Sequence, residues 1–198
     1  MTEDELLAAA RRGDQRAFAE LLDVYDRPLR ILAYRILGHR DDMDDAMQEA
    51  AVKAFVNLDS FNGRSSFGTW LYRITYTTCL NQLRTRRDVA EPINLGQVDE
   101  GPARRERGGP AVPDSVRDPV AHVHERLDLE DALRLLTDEQ RAAVCLVLEL
   151  GYPLAEAAAI LEVPPGTVSS RLWHARAVLR SSLEPPSTSR GDHGHARG

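Results

Sequence analysis

The chain has 198 residues, enough for one ordinary domain or two small ones. Its 42% hydrophobic and 28% charged residues are those of a globular protein, and no apolar run approaches the ~20 residues of a bilayer crossing. A formal net charge of −6 argues against a simple nucleic-acid binder, yet the charge is blocked rather than mixed. Residues 41–49 carry Asp41, Asp42, Asp44, Asp45 and Glu49 without a base, and residues 84–87 carry Arg84, Arg86 and Arg87 without an acid. Exposed charges act over only ~8–10 Å at cellular salt, so faces of opposite sign imply two kinds of partner. Cys79 and Cys145 each lie in an apolar pattern, which predicts buried thiols and neither a disulfide framework nor a Cys-rich zinc site. The acidic start, Met1 to Glu5, is the reverse of a signal peptide's basic lead, so the expected location is cytoplasmic.

In chain order, Phe18, Leu21, Leu22, Tyr25, Leu29, Leu32 and Ile36 follow the three-and-four spacing of one helical face. Pro28 within it predicts a kink, or a restart capped by Asp26, and Gly38 ends it. Asp41 or Asp42 is expected to cap the next helix, whose apolar positions are Met43, Ala46, Met47, Ala50 and Ala54. A loop over 59–66 leads into a third helix bearing Phe67, Trp70, Leu71, Ile74 and Leu83. Five prolines and four glycines within 88–119 then predict a linker.

Helical periodicity resumes with Leu127, Leu129, Leu133 and Leu136. Thr137 to Gln140 reads as a capping box, followed by an apolar face of Ala143, Val144, Val147 and Leu148 that Gly151 closes. A short unit over 154–161, a turn and a longer unit over about 165–182 form a helix-turn-helix pattern. The longer unit turns Val168, Leu172, Ala175 and Leu179 inward. The fold class is therefore all-α: a helical domain over 1–87, a flexible linker over 88–124, a helix-turn-helix domain over 125–183 and a disordered tail over 184–198.

Three constellations carry chemistry. The last helix opens with Gly166, Thr167, Val168, Ser169, Ser170 and Arg171, small residues that let a backbone approach a groove, with donors for phosphates or base edges. His174 and Arg176 extend that face; an amphipathic helix with a solvated basic side has the same pattern. Phe61, Asn62, Arg64, Ser65, Phe67, Trp70, Tyr72 and Arg73 interleave aromatics with polar and cationic groups, as single-stranded nucleic acid requires, although Phe67 and Trp70 also read as core. The acidic block includes the spacing by which prenyl-diphosphate enzymes hold magnesium, but no second acidic cluster accompanies it; a protein-docking face and a dipole-favoured helix start are the other readings. His122 with His124, and His193 with His195, lack further ligands nearby. No phosphate-binding glycine loop or nucleophile arrangement is present, so neither catalytic residues nor a cofactor are expected.

Together these segments resemble bacterial RNA polymerase sigma factors of the extracytoplasmic-function type, in the sigma-70 superfamily. The stretch from Gly38 through Phe55 is similar to the family's polymerase-docking helix, which implies core-polymerase contacts at Asp42, Asp45, Gln48 and Glu49. The stretch from Phe61 to Ile74 is similar to its promoter-melting segment. The resemblance implies that Phe61, Asn62, Arg64, Ser65, Phe67, Trp70, Tyr72, Arg73 and Arg84 engage the minus-ten element. Val163 to Arg176 is similar to its second helix-turn-helix helix, with Gly166, Thr167, Ser169, Ser170, Arg171, His174 and Arg176 on the minus-thirty-five element. Implied partners are core RNA polymerase (clamp helices of the largest subunit, and the flap region), promoter DNA and an anti-sigma regulator. Glu162 stands where the family usually has a turn glycine, Ser169 where a base is common, and Thr77 where asparagine is frequent. A stand-alone helix-turn-helix repressor or activator is the alternative.

Overall fold

The computed structural model describes residues 1–90 and 130–183, and among them every regular element is helical. Helix α1 (Glu3–Arg11) starts at a capping box: Glu5 N–H donates to the Thr2 hydroxyl at 3.3 Å, and Thr2 N–H donates to the Glu5 carboxylate at 2.9 Å. Helix α2 (Gln15–Leu37) is capped by Asp14 and stopped by Gly38, whose φ of 73° is the left-handed conformation glycine adopts freely. It runs through Pro28 without the expected restart. Asp26 does not cap anything there and instead receives Arg30, one turn on, at 3.0 Å. The apolar face stays continuous across the proline through Leu21, Leu29 and Leu32, and that burial outweighs one lost backbone hydrogen bond.

Helix α3 (Arg40–Val56) also begins differently from expectation. His39 occupies the N-cap without a side-chain bond, and Asp41 and Asp42 fall inside the first turn, where carboxylates face the positive end of the helix dipole. A 3-10 turn (Leu58–Ser60) leads to helix α4 (Phe67–Ala90), which continues three residues past the boundary drawn at 87. Leu21, Leu32, Ile36, Phe67 and Leu71 are essentially inaccessible at the centre of this four-helix unit.

The second unit starts with helical residues 130–134. Thr137 caps helix α5 (Asp138–Val144) with the reciprocal Gln140 bonds of the expected box, at 3.2 and 3.0 Å. The helix passes into a π-helical turn (Cys145–Glu149), and the apolar face differs from the expected one. Ala142, Ala143, Cys145 and Leu146, at ordinary helical spacing, go inward and Leu148 is left 51% exposed. Helix α6 (Leu154–Leu161) and helix α7 (Pro165–Leu183) follow, with Val168 and Ala175 wholly buried and Leu172 and Leu179 partly so. Both cysteines are free and buried. The remaining linker residues 91–124, Leu127, Leu129, the four histidines at 122, 124, 193 and 195, and the tail lie outside the described residues.

The two units pack directly on each other, α4 against α6 and α2 against α5. Their buried side chains form one continuous cluster from Leu6 to Val168. No described helix is long and apolar enough to cross a membrane.

Candidate nucleic-acid interface

The 61–67 loop is built on an aromatic triangle. Ring centroids of Phe61, Phe67 and Trp70 lie 5.5 to 5.6 Å apart, edge-on or tilted, as aromatic quadrupoles prefer. Phe61 and Phe67 are buried and Trp70 is half-buried, so the core and surface readings of these rings divide between them. Arg11 of α1 clamps the loop from outside: its guanidinium lies 5.7 Å from the Phe61 ring centroid and donates to the Phe61 carbonyl. The Asn62 side chain accepts the Arg64 N–H at 3.1 Å, and Ser66 caps α4 by accepting the Thr69 N–H at 3.0 Å. Asn62 and Arg64 are exposed and Ser65 is half-buried. Asn62 and Ser65, with Phe61 and Phe67, border a recess of about 390 Å³, whose lining also includes Glu3 and Asp4 of α1.

Tyr25 adjoins this region through Glu3 and Phe67. Its hydroxyl donates to Glu3 at 2.6 Å, and its ring lies 5.9 Å from that of Phe67. Burial, followed by the Glu3 contact, pushes the phenol pKa well above its ordinary value. A Cβ at Gly68 would stand 2.7 Å from the Tyr25 ring, so glycine is what lets α4 approach α2 here. Arg11, Glu3, Tyr25 and Gly68 were absent from the expected site residues. Their contacts bridge up to 50 residues of sequence, and only the glycine at a helix start leaves a local trace.

Tyr72 and Arg73 do not join the loop. They lie on the side of α4 that meets the second unit, where the Tyr72 ring packs 5.1 Å from Tyr152 and Arg73 donates to the Ala159 carbonyl at 3.0 Å. Burial first, and Tyr152 second, raises the Tyr72 pKa, although its hydroxyl makes no hydrogen bond of normal geometry. Arg84 is exposed near the end of α4.

The acidic block does not act as one cluster. Asp42 is buried and bound to Arg86, Asp44 is held by Arg30, and Glu49 pairs with Lys53 at 2.6 Å. Asp45, Gln48 and Glu49 present an exposed face, while Asp42 is turned away from it into the packing. Side chains pinned separately to Arg86 and Arg30 do not converge as a divalent-cation site requires.

In the second unit, α6 and α7 meet at Glu162, whose φ of 55° is left-handed and unique among the described non-glycine residues. The carboxylate lies 3.4 Å from Arg73 of α4. On α7, Gly166, Ser169, Ser170, His174 and Arg176 are exposed and Thr167 is half-buried. Arg171 differs: one guanidinium nitrogen is buried without a partner, and the group lies close enough to Tyr76 to lower that phenol's pKa against the rise that burial imposes. Trp173, beside His174, is 67% exposed.

This pairing of a helical unit carrying an aromatic loop with a helix-turn-helix unit is matched by family models. Residues 21–89 match Sigma-70 region 2, and residues 126–179 match Sigma-70, region 4. The ECF RNA polymerase sigma factor SigW of Bacillus subtilis (strain 168) is 31% identical over 182 residues, covering 87% of this chain and 92% of SigW. The ECF RNA polymerase sigma-E factor of Escherichia coli (strain K12) is 32% identical, over 93% of this chain and 96% of that one. Among solved structures, CnrH in complex with the cytosolic domain of CnrY aligns with a TM-score of 0.63 at 26% identity, covering 90% of this chain and 94% of CnrH. RpoE in complex with the anti-sigma factor NepR, from Bartonella quintana, aligns with a TM-score of 0.60 at 29% identity, over 83% of this chain and 94% of that one. The chain belongs to the ECF RNA polymerase sigma factors, and its role is that of a sigma factor in transcription.

Proposed function

We propose that this sigma factor joins core RNA polymerase through the exposed Asp45–Gln48–Glu49 face of α3 and directs it to two promoter elements. The Phe61–Phe67 loop takes an unpaired base of the minus-ten element into the recess beside Asn62 and Ser65, and Arg64 steers the backbone. Extruding a base costs a few kcal/mol of stacking and pairing, which the recess and the polymerase grip together offset. The exposed face of α7, with Ser169, Ser170, His174 and Arg176, reads the minus-thirty-five element. The boundaries 1–87, 88–124 and 125–183 are the corresponding working division. Two structural relatives are complexes with CnrY and with the anti-sigma factor NepR, which supports an anti-sigma regulator here as well. The chain acts by binding, in the cytoplasm, and catalysis stays with the polymerase.

The observation that carries this reading is the recess of about 390 Å³, lined by Phe61 and Phe67 together with the polar loop residues Asn62, Ser65 and Ser66. Its test is transcription from genomic DNA fragments by bacterial core polymerase, with and without this protein, with RNA starts mapped. Discrete starts that appear only with the protein are expected. Absence of both new starts and core association would overturn the reading in favour of a stand-alone helix-turn-helix regulator.

A further inference from the structure

Part of the recess beside the Phe61–Phe67 loop is supplied by α1, which lies ahead of residue 21, where the match to Sigma-70 region 2 begins. Glu3, Asp4, Leu7 and Arg11 recur at helical spacing, so one stripe of α1 lines the recess. Leu6, Ala9 and Ala10, on the other side of the helix, are buried. Two ties hold the stripe in place: Arg11 donates to the Phe61 carbonyl, and Glu3 Oε2 accepts the Tyr25 hydroxyl at 2.6 Å. Glu3 Oε1 is not used by Tyr25, and the Asp4 carboxylate is exposed at the recess. On the loop side, the Asn62 side-chain oxygen already accepts the Arg64 N–H. The Asn62 amide hydrogens and the Ser65 hydroxyl therefore remain as donors.

From this arrangement we infer that α1 selects the extruded base: Asp4, with Glu3 beside it, admits a base bearing an exocyclic amine (cytosine, adenine or guanine) and rejects thymine. A carboxylate only accepts hydrogen bonds, so it pairs with an amine and repels a carbonyl. Thymine offers a single N–H set between two carbonyls. Each of the other three bases brings an amine for the carboxylates and a ring nitrogen or carbonyl acceptor for Asn62 or Ser65. The same negative charge disfavours a phosphate in the recess, so a base is held there while the backbone stays outside. This inference rests on the base-capture reading above and adds which bases are held, and by which side chains.

The test is a promoter library randomised through the minus-ten element, transcribed by core polymerase with the full chain, with the productive templates sequenced. One minus-ten position should exclude thymine about tenfold relative to the three amine-bearing bases. Asp4→Asn keeps the size of the side chain and adds donors that thymine carbonyls accept. The exclusion should then shrink to about twofold at that position and at no other. Glu3→Gln should act in the same direction and less strongly, because Tyr25 already engages that carboxylate. Asp59→Asn, the same charge change in the 3-10 turn outside the recess, should leave the base preference as it is.

An unchanged thymine preference in Asp4→Asn overturns the inference. So does an equal change in Asp59→Asn, which would make the effect one of net charge alone. The preference is a ratio between templates in one reaction, so a variant that merely folded less well would lower every template together and leave the ratio unaltered. Transcripts from the unaltered chain with thymine tolerated at every minus-ten position would remove the role of α1 and leave the sigma-factor reading standing. No transcripts from the library at all would remove the promoter reading itself, and this inference with it.

Discussion

Two neighbouring carboxylates of α3 separate structure from docking at the level of single residues. Asp42 is buried against Arg86 and one of its oxygens has no further partner, while Asp45 is exposed. Asp42→Ala should cost about 1 kcal/mol, because it removes the acceptor that ties Arg86, itself half-exposed, to α3. Asp45→Arg should leave stability within about 0.5 kcal/mol and weaken association with core polymerase. Urea denaturation and a core-binding assay on both variants check this; equal stability losses would erase the distinction. Glu162 offers a second contrast. A left-handed non-glycine residue carries a strain of about 1 kcal/mol, and its ion pair with Arg73 is half-exposed and worth about 0–1 kcal/mol. Glu162→Gly should therefore leave the midpoint of thermal unfolding level or slightly raised. A marked fall would mean that the Arg73 contact dominates.

Among the elements, α5 is the one whose start depends on a local device. It has seven residues before the π-helical turn, too short to be stable without its cap and its packing. Thr137→Ala removes the acceptor of the Gln140 N–H and should cost about 1 kcal/mol. Hydrogen exchange should show the loss concentrated in the first turn of α5, with α1 to α3 unchanged; uniform loss across the chain would contradict it. The apolar face read from Ala143, Val144, Val147 and Leu148 was only half right, because the buried set is Ala142, Ala143, Cys145 and Leu146. Periodicity fixes the spacing of a face but not which of two overlapping apolar faces the neighbouring helices cover. At Pro28 the expected restart does not occur, because a continuous buried face carries α2 through the proline.

At the scale of the whole molecule, two phenols of α4, Tyr72 and Tyr76, are buried, and the Tyr72 ring packs on Tyr152 of the second unit. Burial is the main cause raising the pKa of both Tyr72 and Tyr76 above the ordinary value of 10.0. A folded-state pKa above the unfolded one means that the neutral form favours the fold. Its contribution is complete below about pH 10 and is lost as pH rises through the folded values. Alkaline titration followed by tyrosinate absorbance should therefore show delayed phenols that ionise together with a loss of compactness. Titration of all five tyrosines in one step near pH 10, with the structure intact, would refute this.

What the sequence determined by itself was local or periodic. Hydrophobic spacing defined the helical class, Thr137 to Gln140 the capping box, and Gly38 to Phe55, Phe61 to Ile74 and Val163 to Arg176, in that order, the family resemblance. Each of these is a pattern along the chain, readable without knowing which helices meet. Only the tertiary structure decided which of the marked residues remain available. It placed Asp42 under Arg86, set Arg11 and Glu3 at the recess, and pressed Tyr72, Arg73 and Arg171 into the contact between units. The reason is physical: a side chain's exposure and ion-pair partner depend on which distant helix arrives beside it. A linear pattern carries the chemistry of a residue but not the identity of that neighbour.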